Sequence, residues 1–350
     1  MIKISPEHHR DMRLDVHPSQ RQHHVEPVSA TLHVITAVTN PERYYARYRL
    51  YQAFEKMVAD AGGVLWTVEV ALRDRHHEIT SAANPFHIQL RSPAEMWMKE
   101  DPINLVMWHH LPADAEYVAW IDADIQFARP DWVAETIHQL QHFHIVQMWS
   151  HAQDVSPSHD LGNGQVLSGP HQSFLCSYVK QVEFPRYLKD DIGGSGGSGG
   201  AAGRLWHSGY AWAARRSALN DLGGLGDMAI LGSADHHMAA ALIGKVDRTV
   251  HGQMHPTYKD YWNRWQARAE KHIKRNVGYV PGLILHYWHG TKASRRYIDR
   301  WRILVEEQYN YQEDLYRDFQ GLLCLTDHNY RLRDRIREYF RQRNEDTIEV

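Results

Sequence analysis

The first thirty residues are polar, rich in histidine and broken by Pro6, Pro18 and Pro27, so they read as an N-terminal extension (1–30) without a core of its own. Thr31 to Thr39 is the first sustained apolar stretch and reads as a strand. Asn40 and Pro41 follow, a favoured helix cap and a favoured first helical residue. Tyr44, Tyr48, Tyr51, Phe54 and Val58 then keep helical spacing until Gly62-Gly63. Val64 to Ala71 reads as the second strand, and a β-α-β unit of this kind implies a parallel sheet with a right-handed crossover.

Tyr117 to Ile121 is apolar at every position, the pattern of a strand buried on both faces. A helix over 131–143 places Val133, Ile137, Leu140 and His144 on one face, and Ile145 to Trp149 reads as a further strand. Residues 150–200 are less regular, and Gly193 to Gly200 repeats Gly-Gly-Ser without side chains to pack. The stretch 193–203 therefore reads as a flexible Gly/Ser loop, natural or in the style of a laboratory linker. Leu205 to Leu219 leads into a helix closed by Gly223-Gly224, and an acid opens the apolar helix that Gly244 ends.

Pro256 starts a helix with Tyr258, Trp262, Trp265, His272 and Ile273 on one face. A short apolar strand ends at His286. Two more helices are expected. One spans 294–319, with Ile298, Trp301, Val305, Gln308, Gln312, Leu315 and Phe319 inward; the other spans 328–343.

Composition narrows the classes. The 350 residues could hold one large domain or two, and 43% hydrophobic with 23% charged residues is ordinary for a globular protein. A formal charge of −3 makes no global electrostatic case for nucleic acid or an anionic membrane. Cys176 and Cys324 alone give no disulfide framework and fit a reducing compartment. The start has no apolar signal core, and no run of about eighteen apolar residues occurs, so a cytoplasmic location without a transmembrane segment is expected. Arg333, Arg337 and Arg341 share one helix face, a stripe that invites nucleic acid, yet residues 291–350 hold twelve Lys plus Arg and twelve Asp plus Glu. A salt-bridged face is the plainer account.

Asp122 and Asp124 fall where the Tyr117 to Ile121 strand runs out. In an open α/β sheet ligands sit at the carboxyl ends of the strands. Carboxylate oxygens are hard ligands that suit Mg²⁺ or Mn²⁺ held together with substrate phosphates. The pair reads as a clamp for a metal-bound diphosphate; the plainer alternative is two solvated acids in a turn.

The strand, the Asp-x-Asp, Phe127 and the Pro130-Asp131-Trp132 helix start together resemble the glycosyltransferase-A (GT-A) fold. The second strand with Glu69, the stretch Gln89 to Leu105 with Arg91 and Lys99, Leu111-Pro112, and Tyr117 to Asp124 resemble a group of bacterial and phage members. The likeness covers roughly residues 31–292 and is absent from both ends. It implies an α/β, Rossmann-like, mixed but mostly parallel sheet flanked by helices, with residues 293–350 as a helical C-terminal appendage.

The resemblance also assigns roles. The loop after the first strand would hold the donor base, making Thr36, Val38, Asn40 and Arg43 candidates, though Asn40 and Arg43 equally suit a cap and a surface charge. Glu69 belongs to the same donor side. Arg91 and Lys99 could meet donor phosphate, or be solvated cations at a helix start. Gly209 suits close backbone approach to the donor. Asp235 is the candidate general base on an acceptor hydroxyl in an inverting enzyme, its rival reading being a helix cap. Asp122, Asp124 and His286 would hold Mn²⁺ or Mg²⁺, with His289 as the alternate imidazole, and Lys292 would neutralise donor phosphate.

The implied activity is transfer of a sugar from a nucleotide-diphosphate donor, UDP-sugar favoured, to a hydroxyl acceptor. A sugar-phosphate nucleotidyltransferase would need a Gly-rich loop after the first strand, and Thr36 to Asn40 has no glycine. An inactive GT-A-like binding protein and a viral glycosyltransferase acting on modified DNA bases remain as alternatives.

Overall fold

The computed structural model describes residues 30–157, 164–167, 169–180, 206–291 and 297–348, without the side chains of 297–299. The extension 1–29, the Gly/Ser stretch 193–203 and Lys292 lie outside the described residues, as does the Ile298 side chain. The chain is a mixed α/β structure. Its main sheet holds β1 (Leu32–Thr39), β2 (Val64–Leu72), β3 (His87–Ser92), β4 (Tyr117–Ile121), β6 (Ile145–Gln147), β10 (Ala211–Arg215) and β11 (Val277–Tyr279). Their spatial order is β11-β6-β10-β4-β1-β2-β3. All neighbours are parallel except β10, which runs antiparallel to both β4 and β6.

β4 explains its own composition. Val118 and Trp120 enter the core on one face, and Tyr117, Ala119 and Ile121 enter the core on the other. With both faces covered, the strand reads as a continuous apolar run. Trp120 stacks on its cross-strand partner Trp212 at 6.3 Å and 5°, a pair worth about 1 kcal/mol beyond its burial.

A second sheet packs beside the carboxyl ends of the first. It holds β5 (Ile125–Phe127), β7 (His151–Asp154), β8 (His171–Ser173), β9 (Trp206–His207) and β12 (Leu283–His286), in the order β5-β12-β7-β8-β9. The turn at Asp122 to Asp124 is where the chain leaves one sheet and enters the other. The helices, in chain order, are α1 (Tyr45–Asp60), α2 (Glu100–His109), α3 (Trp132–Leu140), α4 (Phe174–Lys180), α5 (Arg216–Leu222) and α6 (Ala234–Leu242), followed by α7 (Pro256–Arg268), α8 (Tyr297–Glu306), α9 (Tyr311–Asp314) and α10 (Tyr330–Arg341).

Two elements depart from the sequence expectation. The first helix does not start on Asn40-Pro41. Arg43 adopts a left-handed φ of 58°, and Asn40 spends its side chain on both backbone groups of Tyr44. The first free N–H groups of α1 are met by Asp346, whose two oxygens accept from Tyr45 N and Ala46 N at 2.8 Å.

The expected helix over 294–319 is broken. Gln308 turns left-handed, the Asn310 side chain caps the short α9, and Leu315–Arg317 becomes β13, paired with β14 (Leu323–Leu325). Phe319 is consequently 97% exposed rather than inward. The C-terminal elements also pack into the main core: Trp301, Leu304, Leu332, Ile336, Tyr339 and Phe340 share one cluster with Val68, Val118 and Trp120.

Candidate functional site

A cleft of about 560 Å³ opens where the two sheets meet, walled by strand ends, the start of α6 and the C-terminal segment. Asp122 follows the last residue of β4. Thr36, buried in β1, donates its hydroxyl to Ile121 O at 2.8 Å, and Asp122 N donates to Tyr210 O at 2.8 Å. These bonds fix the strand end from both sides. Two residues on, Tyr287 N donates to Asp124 O at 2.7 Å, so Asp124 is registered against β12 in the other sheet.

The Asp-x-Asp thus links the end of β4 to the segment after β12. Asp124, His286 and His289 each offer a ligand atom, all within 4.8 Å of one another. Asp124 Oδ2 lies 4.0 Å from His286 Nε2 and 3.4 Å from His289 Nδ1. His286 Nδ1 faces Asp154 Oδ1 at 2.7 Å, which leaves Nε2 turned toward Asp124. A carboxylate behind an imidazole fixes its tautomer and raises its basicity as a ligand. Asp154 follows from register, because β7 pairs parallel with β12 and sets Asp154 opposite His286.

Asp122, the other acid of the pair, lines the same cleft. Its Oδ1 meets Lys99 Nζ at 2.5 Å. Burial lowers the affinity of Lys99 for its proton, but Asp122, Glu100 and Asp235 outweigh it, and the ammonium is held above its ordinary range. Burial raises Asp122 and is reinforced by Asp124, against the pull of Lys99. Glu100 is pushed up to about 8, chiefly by burial, so its carboxyl is protonated at neutral pH.

Asp235 also lines the cleft, in the first turn of α6. The helix opens at Ala234, and Asp235 Oδ1 accepts from His236 N at 2.9 Å. Gly209 lies against it: a Cβ there would come within 2.7 Å of Asp235 Oδ2 and 2.8 Å of His207 Cε1. No larger residue fits without moving the acid. Two non-glycine residues beside the cleft hold left-handed conformations, Tyr210 at φ 79° and Ser233 at φ 80°. Such strain persists only where the surroundings enforce it. Around Ser233 they do so through Arg300, whose Nη2 donates to Ser233 Oγ at 2.6 Å.

The remaining candidates divide by position. Val38 lines the cleft. Thr36 is consumed by its bond to Ile121, and Asn40, Arg43 and Glu69 line a neighbouring recess rather than the cleft. Arg43 pairs with Glu78 at 2.9 Å. Glu69 accepts from the backbone N–H groups of Glu78, Ile79 and Thr80 and from the Thr80 hydroxyl, which fastens that loop. Arg91 donates to the carbonyls of Arg73 and Arg75, away from the cleft.

No local pattern marks Arg47, Arg300, Arg343 and Glu345, yet all four line the cleft. Glu345 is fully buried and takes Arg47 through two nitrogens and Arg343 through one. Of the arginine stripe, Arg333 meets Asp327 and Asp334, and Arg337 meets Glu95. Among the described residues no helix is long and apolar enough to cross a membrane.

No protein-family model matches the chain, and no curated protein matches it. Solved structures give distant likenesses. The catalytic domain of Drosophila beta1,4-galactosyltransferase 7, in complex with xylobiose, shares 9% identity over 60% of each chain, with a TM-score of 0.28. The chain thus spans 60% of that galactosyltransferase chain. A Desulfovibrio desulfuricans protein named as a nucleotide-diphospho-sugar transferase shares 10% over 90% of this chain and 98% of its own, at 0.30. The mannose-1-phosphate geranyltransferase of Thermus thermophilus shares 10% over 74% and 73%, at 0.28. At such scores these likenesses carry no weight for activity.

Proposed function

We propose that the chain is a metal-dependent GT-A glycosyltransferase that moves a sugar from a nucleoside diphosphate, UDP favoured, to a hydroxyl acceptor. The observation that carries this reading is that one cleft gathers both acids of the Asp-x-Asp, His286, His289 and Asp235. Asp124 stands with His286 and His289, and Asp122 stands with Lys99 near Asp235. The cleft, at about 560 Å³, is of a size that holds a nucleotide-sized ligand.

One carboxylate and two imidazoles, with Asp154 behind the first, fit a divalent ion of the Mn²⁺ kind better than Mg²⁺, which prefers an all-oxygen shell. Such an ion, when bound, neutralises charge on a departing diphosphate. Lys99 supplies a fixed positive charge in the same cleft, and Asp122 orients it. Asp235 takes the proton of the acceptor hydroxyl if the transfer inverts the anomeric centre, and orders donor or acceptor if it retains it. Gly209 leaves the space in which that carboxylate stands.

The test is thermal unfolding with a panel of nucleoside diphosphates and sugar nucleotides, with and without Mn²⁺, on the wild type and on Asp124→Ala/His286→Ala. A ligand at about a hundred times its Kd adds roughly 2.7 kcal/mol to native stability. A metal-dependent rise with one nucleotide, lost in the double variant, is expected. Two imidazoles and a carboxylate also suit Fe²⁺ or Zn²⁺, and the nucleotide dependence separates sugar transfer from those chemistries. A melting temperature that no nucleotide moves, with or without metal, overturns the reading.

A further inference from the structure

A second recess lies close to the cleft and belongs to none of the roles above. Its walls are Leu72, Arg73, Asp74 and Arg75 at the end of β2, Glu95 ahead of α2, and Arg337 and Arg341 on α10. Its volume is about 330 Å³. Four guanidinium groups face two carboxylates there, an excess of two positive charges.

The pairing within it is uneven. Glu95 is buried and takes Arg337 Nε at 3.2 Å. Among the described residues, Arg73, Arg75 and Arg341 have no carboxylate within ion-pair distance, whereas Arg333, two turns before Arg341 on the same helix, meets two. The stripe on α10 is therefore neutralised at its outer end and left cationic where it meets the loop after β2. That loop is fixed: Arg73 N donates to Ser92 O at 2.8 Å, Arg75 N to Leu72 O at 3.2 Å, and Arg73 holds a left-handed φ of 55°. Two arginines on a fixed loop thus meet two on a helix, spaced i and i+4 so that they share one face.

The recess also adjoins the cleft. Leu72 and Arg75 line both it and the neighbouring recess that holds Asn40, Arg43 and Glu69, and Val38 is common to that recess and the cleft. Phe340 lines the cleft and the next residue, Arg341, lines the arginine recess. Neighbouring residues of α10 thus line the two spaces.

We propose that this recess binds a phosphate-class anion. Guanidinium groups match phosphate oxygens two bonds at a time, and an anion between them turns mutual repulsion into attraction. The anion is either free or carried by a substrate whose other end reaches the cleft.

The experiment titrates inorganic phosphate at constant ionic strength, read by phosphorus NMR, into wild type, Arg73→Asn/Arg341→Gln and Asp124→Ala. Asparagine tolerates the left-handed backbone at position 73. Both replaced side chains are exposed, so the fold survives. Arg337 is kept, because its removal would strand the buried Glu95.

Saturable binding by the wild type and by Asp124→Ala is expected, weakened roughly tenfold or more in the arginine double variant. Equal binding by wild type and double variant, loss in Asp124→Ala, or no saturable binding at all overturns the proposal. A second titration with glucose 1-phosphate separates the sources. Binding no tighter than that of inorganic phosphate marks a free anion, and tighter binding marks the phosphate of a sugar-bearing ligand.

Discussion

Replacing Glu345 with glutamine keeps the shape of the side chain and removes one buried charge. Glu345 is fully buried, with Arg47 Nε at 2.5 Å, Arg47 Nη2 at 2.8 Å and Arg343 Nε at 2.7 Å. Burial alone would raise its carboxyl, but Arg47 and Arg343 outweigh burial and hold it well below the ordinary range. Arg343 is itself 3% exposed, stacked over Trp97 at 5.5 Å. Without Glu345 that guanidinium is an uncompensated buried charge, which costs about 3–5 kcal/mol.

The effect should reach the site. Gly290, at φ 89°, lies so close that a Cβ would be 2.9 Å from Asn344 O and 3.0 Å from Glu345 Cα, and His289 is its neighbour. Trp288 Nε1 donates to Thr347 O at 2.6 Å in the same contact. Urea unfolding of Glu345→Gln should show the midpoint fall by the equivalent of about 3–5 kcal/mol with the slope unchanged, and Mn²⁺ affinity should fall with it. A loss under about 1 kcal/mol would put the cluster among ordinary surface ion pairs. It would refute the idea that residues 343–347 clamp the segment of His289 that follows β12.

Two further outcomes follow from the same geometry. Asp154→Asn removes the carboxylate behind His286 and should weaken Mn²⁺ binding roughly 10–100-fold with little change in stability; unchanged affinity by electron paramagnetic resonance of free Mn²⁺ would show that Asp154 does not support the ligand. Glu100 is protonated in the fold up to about pH 8 but ionises near 4.5 when unfolded, so the folded state binds the extra proton between those values and stability falls as pH rises through that window. Glu100→Gln should match the wild type near pH 4 and exceed it at pH 9 by on the order of 3–5 kcal/mol; a difference in unfolding free energy that does not vary with pH would refute the buried, neutral carboxyl.

The parts of the fold that are legible in the sequence are those where one local pattern decides the outcome. The short apolar run Tyr117 to Ile121 reads as a strand covered on both faces and is one, and the acids that follow it stand at its carboxyl end. The β-α-β unit of β1, α1 and β2 follows from two apolar runs with a helical spacing between them. Where two local signals compete, the pattern misleads. Asn40-Pro41 is a good helix start by composition, but Arg43 turns left-handed and the start moves to Tyr45. The apolar period through 294–319 continues on paper, yet Gln308 and Asn310 break it.

What no local pattern carries is the meeting of distant segments. Asp346 caps a helix whose first residue is 301 positions earlier, and Glu345 joins Arg47 across 298. Asp154 is a consequence of strand pairing, set opposite His286 only because β7 and β12 run in parallel. β10 shows no alternation, since Ala211, Trp212, Ala213 and Ala214 are all buried and antiparallel pairing on both sides decides its place. The two acids are visible in the sequence because they end a strand. Their separate duties are not, because those depend on which strand end each one meets. Asp122 remains with the main sheet, Lys99 and the start of α2, and Asp124 crosses to β12 and its histidines.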